Sequence, residues 1–576
     1  MKLKFVIFIF VISHFCSVTS IMSQNKNSVE TWRKMELSFE STIDYTLSGA
    51  DKVWMDVIFT HSSTKERIVR PAFWDGANRF LVRFAPTHNG KWEYKTQCPQ
   101  DKSLDNHSGS FRSKAYKGDL EIYKRGFVTC QAGKKYMTYA DGTPFFYLGD
   151  THWGMYREEI DEAGPNVGNI NTESHFKYIV DRRAEQGFTV YQSEPIDALF
   201  NVRDGKVDAS DIDGFRLADR YYEHIASRGL VHANAEFFFS SELTKKLAED
   251  HNALERLSRY WVARFGAYPV MWTLAQEIDN DFYHERGDQS IYNFANNPWV
   301  KIAEYIHKYD AYSHPLSAHQ ENTIYTTVTG RGIDFSSTNA DGGGASAFAS
   351  DEVAKLTGHN WWAAQWSPSL TSPVNSDLVR DYWEDWRPAI NYEGRYCGLW
   401  TKDFGARAQG WISFLSGFMG YGYGAIDMWL YKSAYNIDTT SHDGIDLISI
   451  EDKLKPWSEA IEFESAIQMG YMRNLLESMD WWNLKPILPD TDSFNAEAKA
   501  YVYARSEKFE ILYFFSKEHA TGTINDLRPE KLYKLMWYNP RSGEMTRQTK
   551  ISSEADGKLK LPLKPDEEDW VVVLKH

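Results

Sequence analysis

The sequence predicts an α/β protein in which a (β/α)₈ TIM barrel is flanked by N-terminal and C-terminal antiparallel β-sandwich domains. The 576-residue chain is longer than one hydrophobic core usually organises. Alternating strands with turn residues fill both ends of the chain, whereas the middle consists of short apolar runs separated by amphipathic helices. The predicted divisions are 1–23, 24–125, 126–485 and 486–576.

Residues 1–23 have the three-part pattern of a cleaved signal peptide. Lys2 and Lys4 precede the apolar run from Phe5 to Ile12, and small residues follow from Ser17 to Ser20. The run is too short to span a bilayer. We therefore expect a secreted or periplasmic protein, or one associated with the cell surface, with no membrane insertion.

Residues 24–125 and 486–576 have the alternation of β-sandwiches. In the first, Asp75-Gly76 and Asn89-Gly90 are hairpin signals, and apolar residues alternate in the segment "RFLVRFAPTHNGKWEYKT". In the last, the segments "AKAYVYARSEKFEILYFF" and "DWVVVLKH" alternate in the same way. We find no low-complexity linker, so we expect the domains to pack against one another.

The middle segment contains eight candidate strands, which is the number that closes a TIM barrel. Helices such as "NTESHFKYIVDRRAEQG" and "GFRLADRYYEHIASRG" precede strands and end on a glycine suited to a C-terminal cap. The predicted strands are Phe145 to Gly149, Phe188 to Gln192, Leu230 to Phe237, Pro269 to Ala275, Pro315 to His319, Trp361 to Trp366, Pro388 to Tyr392, and Ala425 to Trp429.

Composition limits the partners. The net charge of −15 argues against nucleic acid and anionic membranes, which select for basic surfaces. Aromatic residues make up 15% of the chain, and their rings can stack on the apolar faces of sugars. No metal-ligand motif or cofactor motif stands out, so we predict neither. Among the cysteines left after signal cleavage, Cys98 and Cys130 form a candidate disulfide.

Polar residues end the apolar runs, at the face where TIM barrels build their active sites. The catalytic candidates are Glu277, after the fourth strand in "PVMWTLAQE", and Glu393, after the seventh in "PAINYE". Glycoside hydrolysis needs one carboxyl group that protonates the leaving oxygen and one carboxylate that attacks or activates water. The ends of strands four and seven lie across a barrel mouth and meet that need, although Glu194 and Glu236 are rival carboxylates.

The remaining strand-end residues are candidates for substrate binding. Asp150 and His152 are predicted to hydrogen-bond sugar hydroxyls or to buttress the glutamates, and Arg395 to pair with an acidic group on a sugar. Lys402 and Arg407 are interpreted as surface charges. The full substrate-binding set is Asp150, His152, Trp153, Gln192, Glu236, Gln276, His319, Trp366, Tyr392, Arg395 and Trp429.

Several segments also resemble known families. "FFYLGDTHWGMY", "DRRAEQGFTVYQ", "RFGAYPVMWTLAQE" and "PAINYEGRY" resemble the barrel of apiosidase-like glycoside hydrolases. The region before them resembles the β-sandwich that precedes many bacterial polysaccharide-degrading barrels. The last domain is similar to a sandwich that carries a collagen-binding label, which gives no evidence of collagen binding. The resemblance implies a retaining-type or related pair, with Glu277 at the acid/base position and Glu393 at the nucleophile position.

Three functions remain open from the sequence. The first is a glycoside hydrolase acting on oligosaccharides of a plant or algal polysaccharide. The second is a lyase or dehydratase acting on uronic-acid residues, for which His152, His232, His319 and Tyr392 are candidate bases. The third is a non-catalytic glycan-binding protein on a decayed barrel. The sugar, the linkage, the anomeric outcome and the oligomeric state are not fixed by the sequence.

Overall fold

The structure is a computed structural model. It describes a set of residues that covers most of both terminal domains and much of the barrel. Those residues are 29–131, 134–193, 205–235, 245–273, 298–317, 363–365, 388–392, 394, 396–398, 402–429, 454–488 and 491–576. The predicted signal peptide, residues 1–23, lies outside them.

The N-terminal domain is a two-sheet β-sandwich, as predicted. One sheet has the order β1-β8-β7-β3-β4 and the other β2-β6-β5, and each pair is antiparallel except β1 with β8, which is parallel. The strands are β1 Val29–Glu30, β2 Met35–Glu40, β3 Asp56–His61, β4 Arg67–Pro71, β5 Phe73–Trp74, β6 Arg79–Phe84, β7 Gly90–Gln97 and β8 Ser108–Lys114. Their inward residues include Phe59 stacked on Phe84, with ring centroids 4.0 Å apart.

The central domain is built on one sheet of eight parallel strands. A short antiparallel hairpin, β9 Val128–Cys130 with β10 Met137–Tyr139, precedes it. The eight strands are β11 Tyr147–His152, β12 Val190–Ser193, β13 Val231–Ala235, β14 Val270–Thr273, β15 Leu316–Ser317, β16 Ala363–Gln365, β17 Ala389–Asn391 and β18 Gly420–Tyr423. Their order is β15-β14-β13-β12-β11-β18-β17-β16, so the last strand of the barrel, β18, pairs with its first strand, β11, as barrel closure requires.

The predicted position of the eighth strand is wrong. Residues Ile426–Trp429 form a short helix, and the strand lies earlier, at Gly420–Tyr423. Its sequence, Gly-Tyr-Gly-Tyr, lacks an apolar run because neighbouring groups leave no room for side chains at the glycines. A Cβ atom on Gly422 would lie 1.9 Å from the main-chain oxygen of Tyr392.

The first barrel strand also extends further than predicted. It runs to His152 instead of ending at Gly149, so Asp150 and His152 lie within the strand. Alternate residues of a strand face opposite sides. Tyr147 belongs to the apolar cluster inside the barrel, and Leu148 packs with the outer helices. Asp150 and His152 are every second residue after Leu148, so their side chains lie on the same outer face of the strand. They are therefore between the sheet and the helices.

Helices cover the outside of the sheet. Ser174 and Asp250 cap the N-termini of two of them, and Gly187 and Gly229 follow the C-termini of two with φ of 94° and 76°, as the C-terminal cap prediction requires. The helices are α1 Glu121–Arg125, α2 His175–Glu185, α3 Ile212–Ser227, α4 Lys245–Glu249, α5 His251–Phe265, α6 Pro298–Tyr309, α7 Asp403–Leu415, α8 Ile426–Trp429, α9 Trp457–Ala460 and α10 Glu464–Glu477, with short 3₁₀ turns at Met155–Arg157 and Trp481–Asn483.

The C-terminal domain is an antiparallel β-sandwich, as predicted. Its sheets have the orders β19-β21-β22-β27-β24-β25 and β20-β23-β26. The strands are β19 Lys485–Ile487, β20 Phe494–Ala496, β21 Tyr501–Arg505, β22 Phe509–Phe514, β23 Gly522–Ile524, β24 Leu532–Tyr538, β25 Thr549–Ser552, β26 Leu559–Lys560 and β27 Trp570–Lys575.

Both sandwiches pack directly on the barrel. One apolar cluster joins Phe59 and Trp92 of the first sandwich to Phe215 and Trp261 on helices α3 and α5. A second joins Trp411 of α7 to residues of the last sandwich. No linker separates the domains within the described residues, although their exact boundaries stay a prediction. Among the described helices, none is both long and apolar enough to cross a membrane.

Two smaller predictions are wrong. Cys98 and Cys130 are both buried and free, so they do not form the predicted disulfide. Arg407 is not a surface charge, because its guanidinium group is buried and donates hydrogen bonds of 2.9 and 2.8 Å to the carboxylate of Asp569 in the last sandwich.

Candidate active site

The barrel interior near the carboxyl ends of its strands is organised by Gln192. Its side-chain oxygen accepts a 2.9 Å hydrogen bond from the hydroxyl of Tyr147, and its amide nitrogen donates to Thr151 Oγ1 at 3.3 Å and to the main-chain oxygen of Tyr392 at 2.8 Å. Gln192 is fully buried. The side chain predicted to bind substrate therefore has both amide hydrogens directed to protein acceptors.

The segment around Glu393 is held on both sides by described residues. On the N-terminal side, the main-chain oxygen of Tyr392 accepts the bond from Gln192. On the C-terminal side, the main-chain nitrogen of Gly394 donates a 3.0 Å bond to the oxygen of Gly422 in β18. Tyr392 itself belongs to the apolar cluster in the barrel interior. Glu393, the predicted nucleophile, lies outside the described residues.

Asp150 and His152 form part of a buried ionic network on the outer side of β11. The two ring nitrogens of His152 lie 2.6 Å from carboxylate oxygens, Nε2 from Asp150 and Nδ1 from Glu158. Arg183 of α2 hydrogen-bonds the same Asp150 oxygen, and the hydroxyl of Tyr191 donates to Glu158 at 2.8 Å. These contacts favour the buttressing role over direct contact with a sugar.

The network sets the charge state of its members. Burial alone would lower the pKa of His152, but the adjacent carboxylates of Glu158 and Asp150 raise it to about 9. Burial also disfavours the charged form of Asp150, yet Arg183 and His152 hold its pKa below the usual range. His152 is therefore an imidazolium at neutral pH, which explains how each of its nitrogens can donate a hydrogen bond to a carboxylate.

Trp153 lies next to the interior cluster, beside the predicted site. Its indole nitrogen donates a 2.6 Å hydrogen bond to the hydroxyl of Tyr396, and its ring lies 5.9 Å from that of Tyr392. Only 3% of the residue is exposed. Trp153 thus holds the segment that carries Tyr392 and Tyr396, and its role as a sugar platform stays a prediction.

His232, a base candidate for elimination chemistry, faces away from the barrel interior. It packs on Tyr222 of α3, and its Nε2 lies 2.6 Å from Ser193 Oγ. Burial lowers its pKa to about 3. It is therefore a neutral residue between the sheet and the helices, away from the interior cluster.

The other predicted site residues lie outside the described part of the chain. They include both members of the proposed catalytic pair, Glu277 and Glu393, and both rival carboxylates, Glu194 and Glu236. The set is Glu194, Glu236, Gln276, Glu277, His319, Trp366, Glu393 and Arg395. Trp429 ends helix α8, and its side chain is not among those described. Within the described residues, no group of three or more acidic, histidine or cysteine side chains is arranged to hold a metal ion.

Sequence reasoning missed several residues of this region, among them Arg183 and Tyr147. Arg183 lies one helical turn after Ile179, on the buried side of α2, so a charge on an otherwise apolar helix face was the available signal. Tyr147 begins the first strand within an apolar run and gives no comparable signal.

The eight parallel strands, with the first barrel strand paired to the last, define the fold as a TIM barrel. The chain matches the family model described as "Apiosidase-like, catalytic domain" over residues 131–483. It belongs to that family and is a glycoside hydrolase, and its substrate is a carbohydrate. Residues 28–99 match a domain of unknown function, DUF5060, and residues 489–575 match the "Putative collagen-binding domain of a collagenase".

Solved structures share the fold. A "putative glycoside hydrolase" from Bacteroides vulgatus is 14% identical, with a TM-score of 0.62 over 96% of this chain and 100% of that one. A glycoside hydrolase family 5 protein from the same organism is 16% identical, with a TM-score of 0.56 over 80% of this chain and 95% of that one. At these identities the likeness establishes the fold alone. No curated protein matches this sequence.

Proposed function

We propose that this protein is exported and hydrolyses glycosidic bonds in oligosaccharides derived from plant or algal polysaccharides, with Glu277 as acid/base and Glu393 as nucleophile. The observation that carries the proposal is the position of strands β14 and β17 in one parallel sheet. Glu277 follows β14 by four residues and Glu393 follows β17 by two. Both therefore come after the carboxyl ends of strands that run in the same direction.

The two glutamates would act in two steps. In the first, a carboxylate oxygen of Glu393 attacks the anomeric carbon, the bond to the leaving oxygen breaks with its electron pair, and Glu277 gives its proton to that oxygen. In the second, Glu277 takes a proton from water while the water oxygen attacks the anomeric carbon and releases the Glu393 carboxylate. The described residues contribute by holding the Tyr392 and Gly394 peptides that flank Glu393.

Two of the three histidines that favoured elimination, His152 and His232, do not support that reaction. His152 is enclosed by two carboxylates and protonated at neutral pH, and His232 faces the helices. Neither side chain is exposed to solvent. Because proton abstraction beside a uronic-acid carboxylate needs an accessible base, these contacts favour hydrolysis.

The substrate class is tested by incubating the full-length secreted enzyme with a panel of neutral and acidic plant and algal oligosaccharides. We expect release of a reducing sugar with no new ultraviolet absorbance, and loss of that release in Glu393→Gln. Release from acidic oligomers alone would support a role for Arg395 in binding a carboxylate or sulfate. Products that absorb as unsaturated uronates would instead establish elimination.

The export proposal has a separate test. Val18 with Ser20, or Ile21 with Ser23, fit the cleavage rule and favour cleavage after Ser20 or after Ser23. Mass spectrometry of the exported protein should therefore show a chain that begins at one of those two positions. A chain that retains Met1 to Ser20 in the exported fraction would contradict the proposal.

A further inference from the structure

We propose that Gln192 is a positioning residue for the nucleophile, rather than a ligand of the sugar as its strand-end location suggests. It acts through the main-chain oxygen of Tyr392, the residue directly before Glu393. The inference rests on the proposed function, because it takes Glu393 as the group that attacks the anomeric carbon.

The side chain of Gln192 spans the barrel interior. It starts from β12 and donates its 2.8 Å bond to the segment directly after β17, although β11 and β18 lie between those strands in the sheet. The orientation of the amide is determined by chemistry, because a main-chain carbonyl oxygen only accepts and so must face the NH₂ group. The opposite atom, Oε1, then faces the Tyr147 hydroxyl, which can donate.

Two glycines make room for this crossing. Gly149 lies on β11 and Gly422 on β18, the two strands between Gln192 and Tyr392. A Cβ atom on Gly149 would lie 2.0 Å from Gln192 Oε1, and one on Gly422 would lie 2.7 Å from it and 1.9 Å from the Tyr392 oxygen. Neither glycine has a positive φ, so the absence of a side chain serves this close approach and not a turn.

The amide has little capacity left for a substrate. Its two hydrogens are directed to Thr151 and Tyr392, and no part of the side chain is exposed. A buried donor aimed at a main-chain oxygen holds the Tyr392 peptide in place. Since a displacement of about 1 Å at a reacting group can cost about 100-fold in rate, this bond is placed to control turnover.

The test uses Gln192→Glu in the full-length enzyme. The carboxyl group keeps an oxygen for the Tyr147 hydroxyl and the same size, but when ionised it places a second acceptor against the Tyr392 oxygen. When protonated it can donate there again. The substrates are a 2,4-dinitrophenyl glycoside of the sugar released from the panel and the natural oligosaccharide, which needs a protonated leaving group.

We expect kcat of Gln192→Glu to fall by about 100-fold where the carboxyl is ionised, equally on both substrates, with KM within about twofold of wild type. Lowering the pH should restore kcat through a single ionisation that the wild-type enzyme lacks. Gly149→Ala, which crowds the same amide from β11, should lower kcat on both substrates without that recovery.

Ser193→Ala is the matched control, because Ser193 is the next residue of β12, fully buried, and makes one hydrogen bond on the opposite face to His232. It should lose stability while keeping kcat. The inference is overturned if Gln192→Glu keeps wild-type kcat, whether or not its KM rises. It is also overturned if the activity that Gln192→Glu loses is explained by a smaller folded fraction, as expected for Ser193→Ala. Activity in Glu393→Gln would overturn the proposed function as well, which separates the two failures.

Discussion

Arg83 and Asp219 connect the N-terminal sandwich to the barrel through a bidentate ion pair. Arg83 lies on β6, and its two terminal nitrogens donate bonds of 2.6 and 2.7 Å to the two carboxylate oxygens of Asp219 on α3. Arg264 of α5 donates to the same carboxylate at 3.0 and 2.6 Å. Burial would raise the pKa of Asp219, but Arg83 and Arg264 lower it to about 2.

Asp219→Asn should destabilise the protein strongly, because it leaves two buried guanidinium groups without their shared counter-charge. Breaking a buried pair in this way costs about 3 to 5 kcal/mol. Chemical denaturation followed by circular dichroism would measure the loss. Asp213→Asn on the same helix is the control, since among the described residues Asp213 pairs only with the partly exposed Arg216, and its side chain is 94% exposed. Equal midpoints for the two variants would contradict the role of Asp219.

The buried His152 should make stability depend on pH in the alkaline range. The folded-state pKa of about 9 lies above the unfolded value of 6.5, so the folded state binds the proton more tightly. The stabilisation is fully present below pH 6.5 and is lost as the pH rises through 9. At about 1.4 kcal/mol per unit, its size is about 3 kcal/mol.

His152→Asn isolates that contribution. The difference in unfolding free energy between wild type and variant should shrink as the pH is raised from 6.5 to above 9, measured by urea denaturation at each pH. A difference that stays constant over this range would mean that His152 does not hold an extra proton in the folded state.

The three cysteines Cys98, Cys130 and Cys397 should all be free thiols that react only after unfolding. Each is buried, and burial raises the pKa of each thiol, which keeps the reactive thiolate scarce. Titration of the unreduced protein from Gln24 onward with a thiol reagent should give three thiols per chain in denaturant and almost none without it. A single reactive thiol in denaturant would reveal a disulfide.

Much of the fold could be predicted from the sequence because strands and helices leave different periodicities. The eighth strand escaped detection because its glycines serve the close approach of Tyr147 and Tyr392, contacts that no local pattern contains. Arg407 was interpreted as a surface charge because its partner, Asp569, is 162 residues away. In the site, the positions of Gln192 and Asp150 at predicted strand ends indicated that both residues have a role. Which role each has depends on the face of the strand that its side chain occupies. A small error in the predicted strand boundaries leaves that face undetermined.

The proposed function gives Glu393 the role of nucleophile and Glu277 that of proton donor. Glu393→Gln removes the attacking carboxylate, so it should lower turnover by orders of magnitude on every substrate, whatever the leaving group. Glu277→Gln removes the proton donor, so it should slow cleavage of the natural oligosaccharide far more than that of a dinitrophenyl glycoside, whose leaving group needs no proton.

The most direct measurement is therefore the ratio of kcat/KM on these two substrates for wild type, Glu277→Gln and Glu393→Gln. We expect Glu393→Gln to lower both values together and to leave the ratio near that of wild type, whereas Glu277→Gln should shift the ratio toward the dinitrophenyl glycoside. Near-native turnover of the natural oligosaccharide by either variant would contradict hydrolysis by this pair.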